Sequence, residues 1–115
     1  MGYLDKVRER QERSKDALRK AFQEEARRLT QLLVGEGYEF KRVYLFGSTV
    51  KEGPLRSWSD IDLAIEGLRE DLFLRAYALL LRNAEFSVDL KPFEDLSEVM
   101  KEKIRKEGEL IYGDK

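Results

Sequence analysis

Apolar residues recur at helical spacing through the first third of the chain. Ala17, Leu18, Ala21, Phe22, Ala26, Leu29, Leu32 and Leu33 fall on one stripe, and no proline or glycine interrupts Tyr3 to Val34. The pattern predicts one long helix over 3–34, or two nearly collinear ones, with Gly35 as a left-handed C-cap. Arg8 to Asp16 holds no apolar residue, so this part of the helix is expected to lean on pairs four apart such as Glu9 with Arg13. It either projects into solvent or meets another subunit.

After Gly35-Glu36-Gly37 the period changes. Glu39 to Phe46 reads as a strand, and Asp60 to Ile65 alternates strictly, with Ile61, Leu63 and Ile65 on one face. Between them Gly53-Pro54 limits 48–58 to a helical turn and a loop. Arg69 to Arg82 returns to helical spacing, with Leu72, Phe73, Ala76, Tyr77, Leu79 and Leu80 towards the sheet. Glu85 to Lys91 alternates again, burying Phe86, Val88 and Leu90. Asp95 with Glu98 suggests a capping box for a last helix over 96–107, stopped by Gly108, and Leu110-Ile111-Tyr112 is a candidate edge strand. The order is helix, strand, strand, helix, strand, helix. This predicts an α/β (α+β) domain, a small mixed sheet of about three to four strands with helices on one face and the other face open to a ligand.

At 115 residues the chain is expected to form a single domain, 1–115. Twenty-two basic and 23 acidic residues give a net charge of −1, which predicts no direct nucleic-acid or membrane binding. No apolar run resembles a signal peptide or approaches the about 20 residues that span a bilayer, so a soluble cytoplasmic protein is expected. The chain has no cysteine and no histidine, so zinc sites, disulfides, thiol nucleophiles and Ser-His-Asp triads fall away. Carboxylates, lysine, tyrosine and serine remain.

Among these, three aspartates stand out. Asp60 and Asp62 project from one strand face, and Asp89 takes the equivalent parity on a strand that can lie about 4.8 Å away. Unpaired carboxylates so placed repel one another, and divalent cations between them would remove the repulsion; hard oxygen ligands suit magnesium, and two such ions can grip a phosphate in transfer. Gly47 permits close backbone approach to a phosphate, and Ser48 adds a hydroxyl. Each residue also has a plainer reading. Gly47-Ser48 is an ordinary turn, Asp60 a strand-start cap, Asp89 a solvated strand residue. Lys51, Arg56 and Lys91 are candidate phosphate cations or surface charges, and Trp58 and Tyr77 fill gaps or stack on a base. Glu94 and Asp95 are better explained by capping.

The string Leu45-Phe46-Gly47-Ser48, eleven intervening residues, Asp60-Ile61-Asp62-Leu63-Ala64-Ile65, then Val88-Asp89-Leu90 resembles the DNA polymerase β nucleotidyltransferase superfamily. Its likeness is to the minimal nucleotidyltransferases (MNT), antitoxin members of HEPN/MNT pairs. The resemblance implies a polymerase β-like fold with a catalytic core over 39–107. It implies Asp60 and Asp62 as ligands of two Mg2+ ions, Asp89 on the catalytic ion, and Gly47 and Ser48 at the triphosphate of ATP, with Lys51 a further candidate there from its charge alone. Lys51-Glu52-Gly53 departs from the family, where an arginine two or three residues after the serine, often before a glycine, is common. Several MNT proteins transfer AMP from ATP to a tyrosine of a HEPN-domain partner. That reaction is the expected function here, with a homo-oligomer as a possible assembly. The rival readings are transfer to a small-molecule hydroxyl, as in antibiotic-modifying relatives, and a non-catalytic nucleotide- or partner-binding module.

Overall fold

A computed structural model describes residues 3–47 and 59–114, with side chains from residue 16 onward. The expectations for Ser48, Lys51, Arg56 and Trp58, for the turn and loop over 48–58, and for side chains before Asp16 lie outside the described residues.

One continuous helix, α1 (Tyr3–Gly35), opens the chain. It does not end with a left-handed Gly35. Gly37 takes the positive φ of 89°, and the amides of Gly37 and Tyr38 close on the carbonyls of Val34 and Leu33 at 3.1 Å, a Schellman arrangement placed two residues later than expected. Phe22, Ala26, Leu29 and Leu33 are buried as the stripe predicts, whereas Ala17 is exposed. Two polar residues of α1 are also buried, Glu25 and Thr30; the Thr30 hydroxyl donates to the Ala26 carbonyl at 2.8 Å.

Strand β1 (Arg42–Phe46) is shorter than expected, since 39 and 40 precede it. Then come β2 (Ile61–Glu66), α2 (Phe73–Asn83) led in by a 3-10 turn at Glu70–Leu72, and β3 (Val88–Pro92). A further 3-10 turn (Phe93–Asp95), α3 (Glu98–Glu107) and β4 (Glu109–Tyr112) complete the fold. The expected capping box is absent. The Phe93–Asp95 turn takes up Asp95, and the backbone is extended at Ser97, whose hydroxyl accepts from the Met100 amide at 3.1 Å. Gly108 does end α3, for lack of room: a Cβ there would lie 2.6 Å from the Ile104 carbonyl oxygen.

The sheet order is β3-β2-β1-β4. β1 pairs antiparallel with β2 and β4, and β2 pairs parallel with β3 across the α2 connection. Alternation divides the strands between two cores. Val43, Leu45, Ile61, Leu63, Ile65, Val88 and Leu90 meet α1 and α2. On the other face Tyr44, Phe46 and Ala64 meet Phe93 and Ile104. The second face is therefore not bare: α3 covers its β1 side, and the bare stretch shrinks to where β2 meets β3. Among the described residues no helix is long and apolar enough to cross a membrane.

Candidate functional site

Asp62 lies at the centre of that stretch. In the sheet register it is flanked by Phe46 on β1 and by Asp89 on β3, so two carboxylates stand side by side on adjacent strands, as their parity predicts. Asp60 sits just before β2. The Ile61 amide donates to the Ser87 carbonyl at 2.8 Å, and the Ser87 hydroxyl donates to the Asp60 carboxylate. Sequence reading gave Ser87 no role. Its parity with Asp89 matches that of Asp60 with Asp62, but only the β2–β3 register reveals that the pairs are opposite each other.

Gly47 follows β1 directly, with φ of 77°. A Cβ at this position would overlap the Asp62 carboxylate. The glycine thus meets two needs, a left-handed backbone and close passage of that backbone over a carboxylate. It joins the first motif to the second in space.

The electrostatics set Asp62 apart. Burial pushes its carboxyl up to about 6, helped by the charges of Asp89 and Asp60 and opposed by Lys91. It makes no side-chain hydrogen bond or ion pair with any described residue. Lys91 stands two residues beyond Asp89, and its ammonium lies 3.2 Å from the Asp89 carboxylate; this candidate therefore belongs to the cluster. Tyr77 does not, because its ring packs on the main core and its hydroxyl donates to the Val88 carbonyl at 3.0 Å. Glu94 is also elsewhere, accepting from the Gly67 amide at 3.0 Å.

The donor set is all oxygen and anionic, and a half-buried carboxylate with a raised pKa lacks only positive charge, which fits magnesium. Among the described residues no three carboxylates form a group that could hold an ion; Asp60 is engaged by Ser87 and Asp89 by Lys91. A cation would compete with those two partners for its ligands.

The sequence profile described as "Polymerase beta, Nucleotidyltransferase" matches residues 28–115. No curated protein sequence matches the chain. Solved structures do resemble it. A toxin-antitoxin with AMP-PNP is 24% identical with a TM-score of 0.62, over 79% of this chain and 74% of that one. The toxin-antitoxin MntA-HepT is 22% identical with a TM-score of 0.58, over 80% and 73%, and a mutant of the MntA pair is 22% identical with a TM-score of 0.62, over 76% and 73%. The profile match takes in the Gly47 turn and all three aspartates, and the chain belongs to the polymerase beta nucleotidyltransferase family.

Proposed function

We propose that this chain is a magnesium-dependent nucleotidyltransferase that moves AMP from ATP to a hydroxyl of a partner protein, a tyrosine of a HEPN toxin, and so acts as its antitoxin. One observation carries the reading: left-handed Gly47 laid against Asp62, with Asp89 in register beside it. The fold likeness to toxin-antitoxin structures, one of them with AMP-PNP, supports this choice of donor and acceptor.

In the proposed reaction the acceptor oxygen bonds to the α-phosphorus while the bond to pyrophosphate breaks, and the hydroxyl proton passes to Asp89. Asp60, Asp62 and Asp89 would hold two magnesium ions, whose charge offsets that of the phosphates and acidifies the acceptor hydroxyl. The Gly47 backbone, the Ser48 hydroxyl and Lys51 would bind the triphosphate. Ser87 orients Asp60, and Lys91 tempers the charge of Asp89.

With magnesium, α-labelled ATP and a HEPN partner, the chain should label a tyrosine of that partner. Asp60→Asn and Asp62→Asn should each lower labelling at least about 100-fold. Labelling that persists in both variants would overturn the assignment. A protein that only masks its partner would show no magnesium-dependent uptake of ATP.

A further inference from the structure

We infer that Lys103 on α3 binds the β- and γ-phosphates of the donor nucleotide and holds the pyrophosphate as it leaves, an assignment that rests on the reaction proposed above. The candidate site runs as a row across the sheet. In register, Asp89 on β3 stands beside Asp62 on β2, and Asp62 beside Phe46 on β1, with about 4.8 Å between neighbouring strands. Gly47 then passes over Asp62.

The row continues beyond Gly47. A cavity of about 110 Å3 opens between this turn and α3, lined by Phe46, Gly47, Met100, Lys103, Ile104 and Glu107. Gly47 is thus common to the aspartate site and to the cavity. In the proposed reaction the acceptor hydroxyl gives its proton to Asp89 and so enters from the β3 side. An in-line displacement puts the leaving oxygen on the opposite side of phosphorus. With the triphosphate on Gly47, its β and γ end is therefore directed away from Asp89 and towards α3.

The cation waiting there is uncommitted. Of the cations on α3, Lys101 pairs with Glu98 at 3.1 Å and Lys106 with Glu102 at 2.9 Å, and the Arg105 guanidinium lies 5.0 Å from the centre of the Phe93 ring. Lys103 is exposed and makes no ion pair or hydrogen bond with any described residue. At the other end of the row Lys91 is already held by Asp89. The apolar lining of Phe46, Met100 and Ile104 suits the methylene stem of Lys103, which can lie along it and carry the ammonium to the mouth beside Gly47. Glu107, one turn further on, sets a negative charge in the same lining, so its removal should help an anion to bind.

Calorimetric titration of the full chain with ATP and with AMP, each with magnesium, tests the inference. Lys103→Ala should weaken ATP at least about 10-fold and AMP less than about 2-fold, since only ATP carries the phosphates that Lys103 meets, and Lys103→Arg should restore most of the ATP affinity. Lys101→Ala and Lys106→Ala remove the same charge from the same helix and should leave ATP within about 2-fold, whereas Glu107→Gln should tighten it about 2-fold. Circular dichroism should be unchanged in every variant, as all four positions lie on the surface of α3. Equal losses at 101, 103 and 106, equal losses of ATP and AMP in Lys103→Ala, no loss there, or weaker ATP binding in Glu107→Gln would overturn the inference and leave the proposed reaction standing. A parent chain that takes up no ATP with magnesium would overturn both.

Discussion

Glu25 and Asp62 are both carboxylates removed from bulk water by this fold, and they answer in opposite ways. Glu25 is only 4% exposed. Burial pushes its carboxyl up, but the Arg28 guanidinium and the amides of Glu85 and Phe86 outweigh burial and hold it below its usual value. Its two oxygens accept from Arg28 and from the Glu85 amide, each at 2.6 Å, while Arg28 also donates to the Asn83 carbonyl at 2.7 Å. The pair clamps α1 onto the link between α2 and β3. Asp62 is less deeply placed, has the carboxylates of Asp89 and Asp60 near it with the Lys91 ammonium in partial opposition, and rises to about 6. Burial alone therefore does not set the direction in which a carboxyl shifts. The difference lies in whether the fold sets a paired cation and amide donors against the carboxylate or sets other carboxylates beside it.

Removing the clamp should be the more costly change. Glu25→Ala strands the Glu85 amide and one face of Arg28, and should lower unfolding free energy by about 2–3 kcal/mol in urea titrations at pH 7. The folded pKa of Glu25 is depressed, so its contribution is fully present above the unfolded value near 4.5 and is lost as pH falls through the lower folded value. The gap between variant and parent should narrow in acid; a gap that does not narrow as pH falls would break the contrast.

Asp62→Asn should act with the opposite sign. A folded pKa near 6 against 3.8 in the open chain means that the folded state holds the proton more tightly, so stability falls as pH rises between those values. Without magnesium the variant should gain about 1 kcal/mol at pH 7 after allowance for solvent screening, and nothing below pH 4. A loss of stability at pH 7 would place Asp62 with Glu25. The smallest effect is expected from Ser87→Ala, which frees Asp60. Nucleotide transfer should fall by about 3–10-fold with stability within about 0.5 kcal/mol, read from labelling kinetics and melting together.

Much of this was legible in the chain. Alternation in Asp60–Ile65 and around Val88–Leu90 put Asp62 and Asp89 on one sheet face, where the register sets them side by side, because strand parity is local and has a period of two. The backbone freedom of Gly47 was legible from its residue type, whereas its passage over Asp62 depends on the pairing of β1 with β2. The second core was less visible. Val43-Tyr44-Leu45-Phe46 is apolar at every position, the mark of a strand covered on both sides, but nothing nearby says that Phe93 and Ile104 supply the cover. The pairing of Ser87 with Asp60 and of Glu25 with the Glu85 amide depends on register between segments far apart in sequence. Local pattern does not encode that. The cap at Ser97 in place of Asp95 turned on a 3-10 turn, a tertiary choice that two equally good capping residues could not decide.

The parallel union of β2 with β3 bears on the order of assembly. A chain leaving the ribosome presents β1 and β2 together, whereas β3 must wait for all of α2. Asp62 therefore meets its like-charged neighbour only when Val88 and Leu90 close the main core, so the electrostatic penalty arrives with the hydrophobic contacts that offset it. An intermediate lacking β3 would escape that repulsion but would also lack the site.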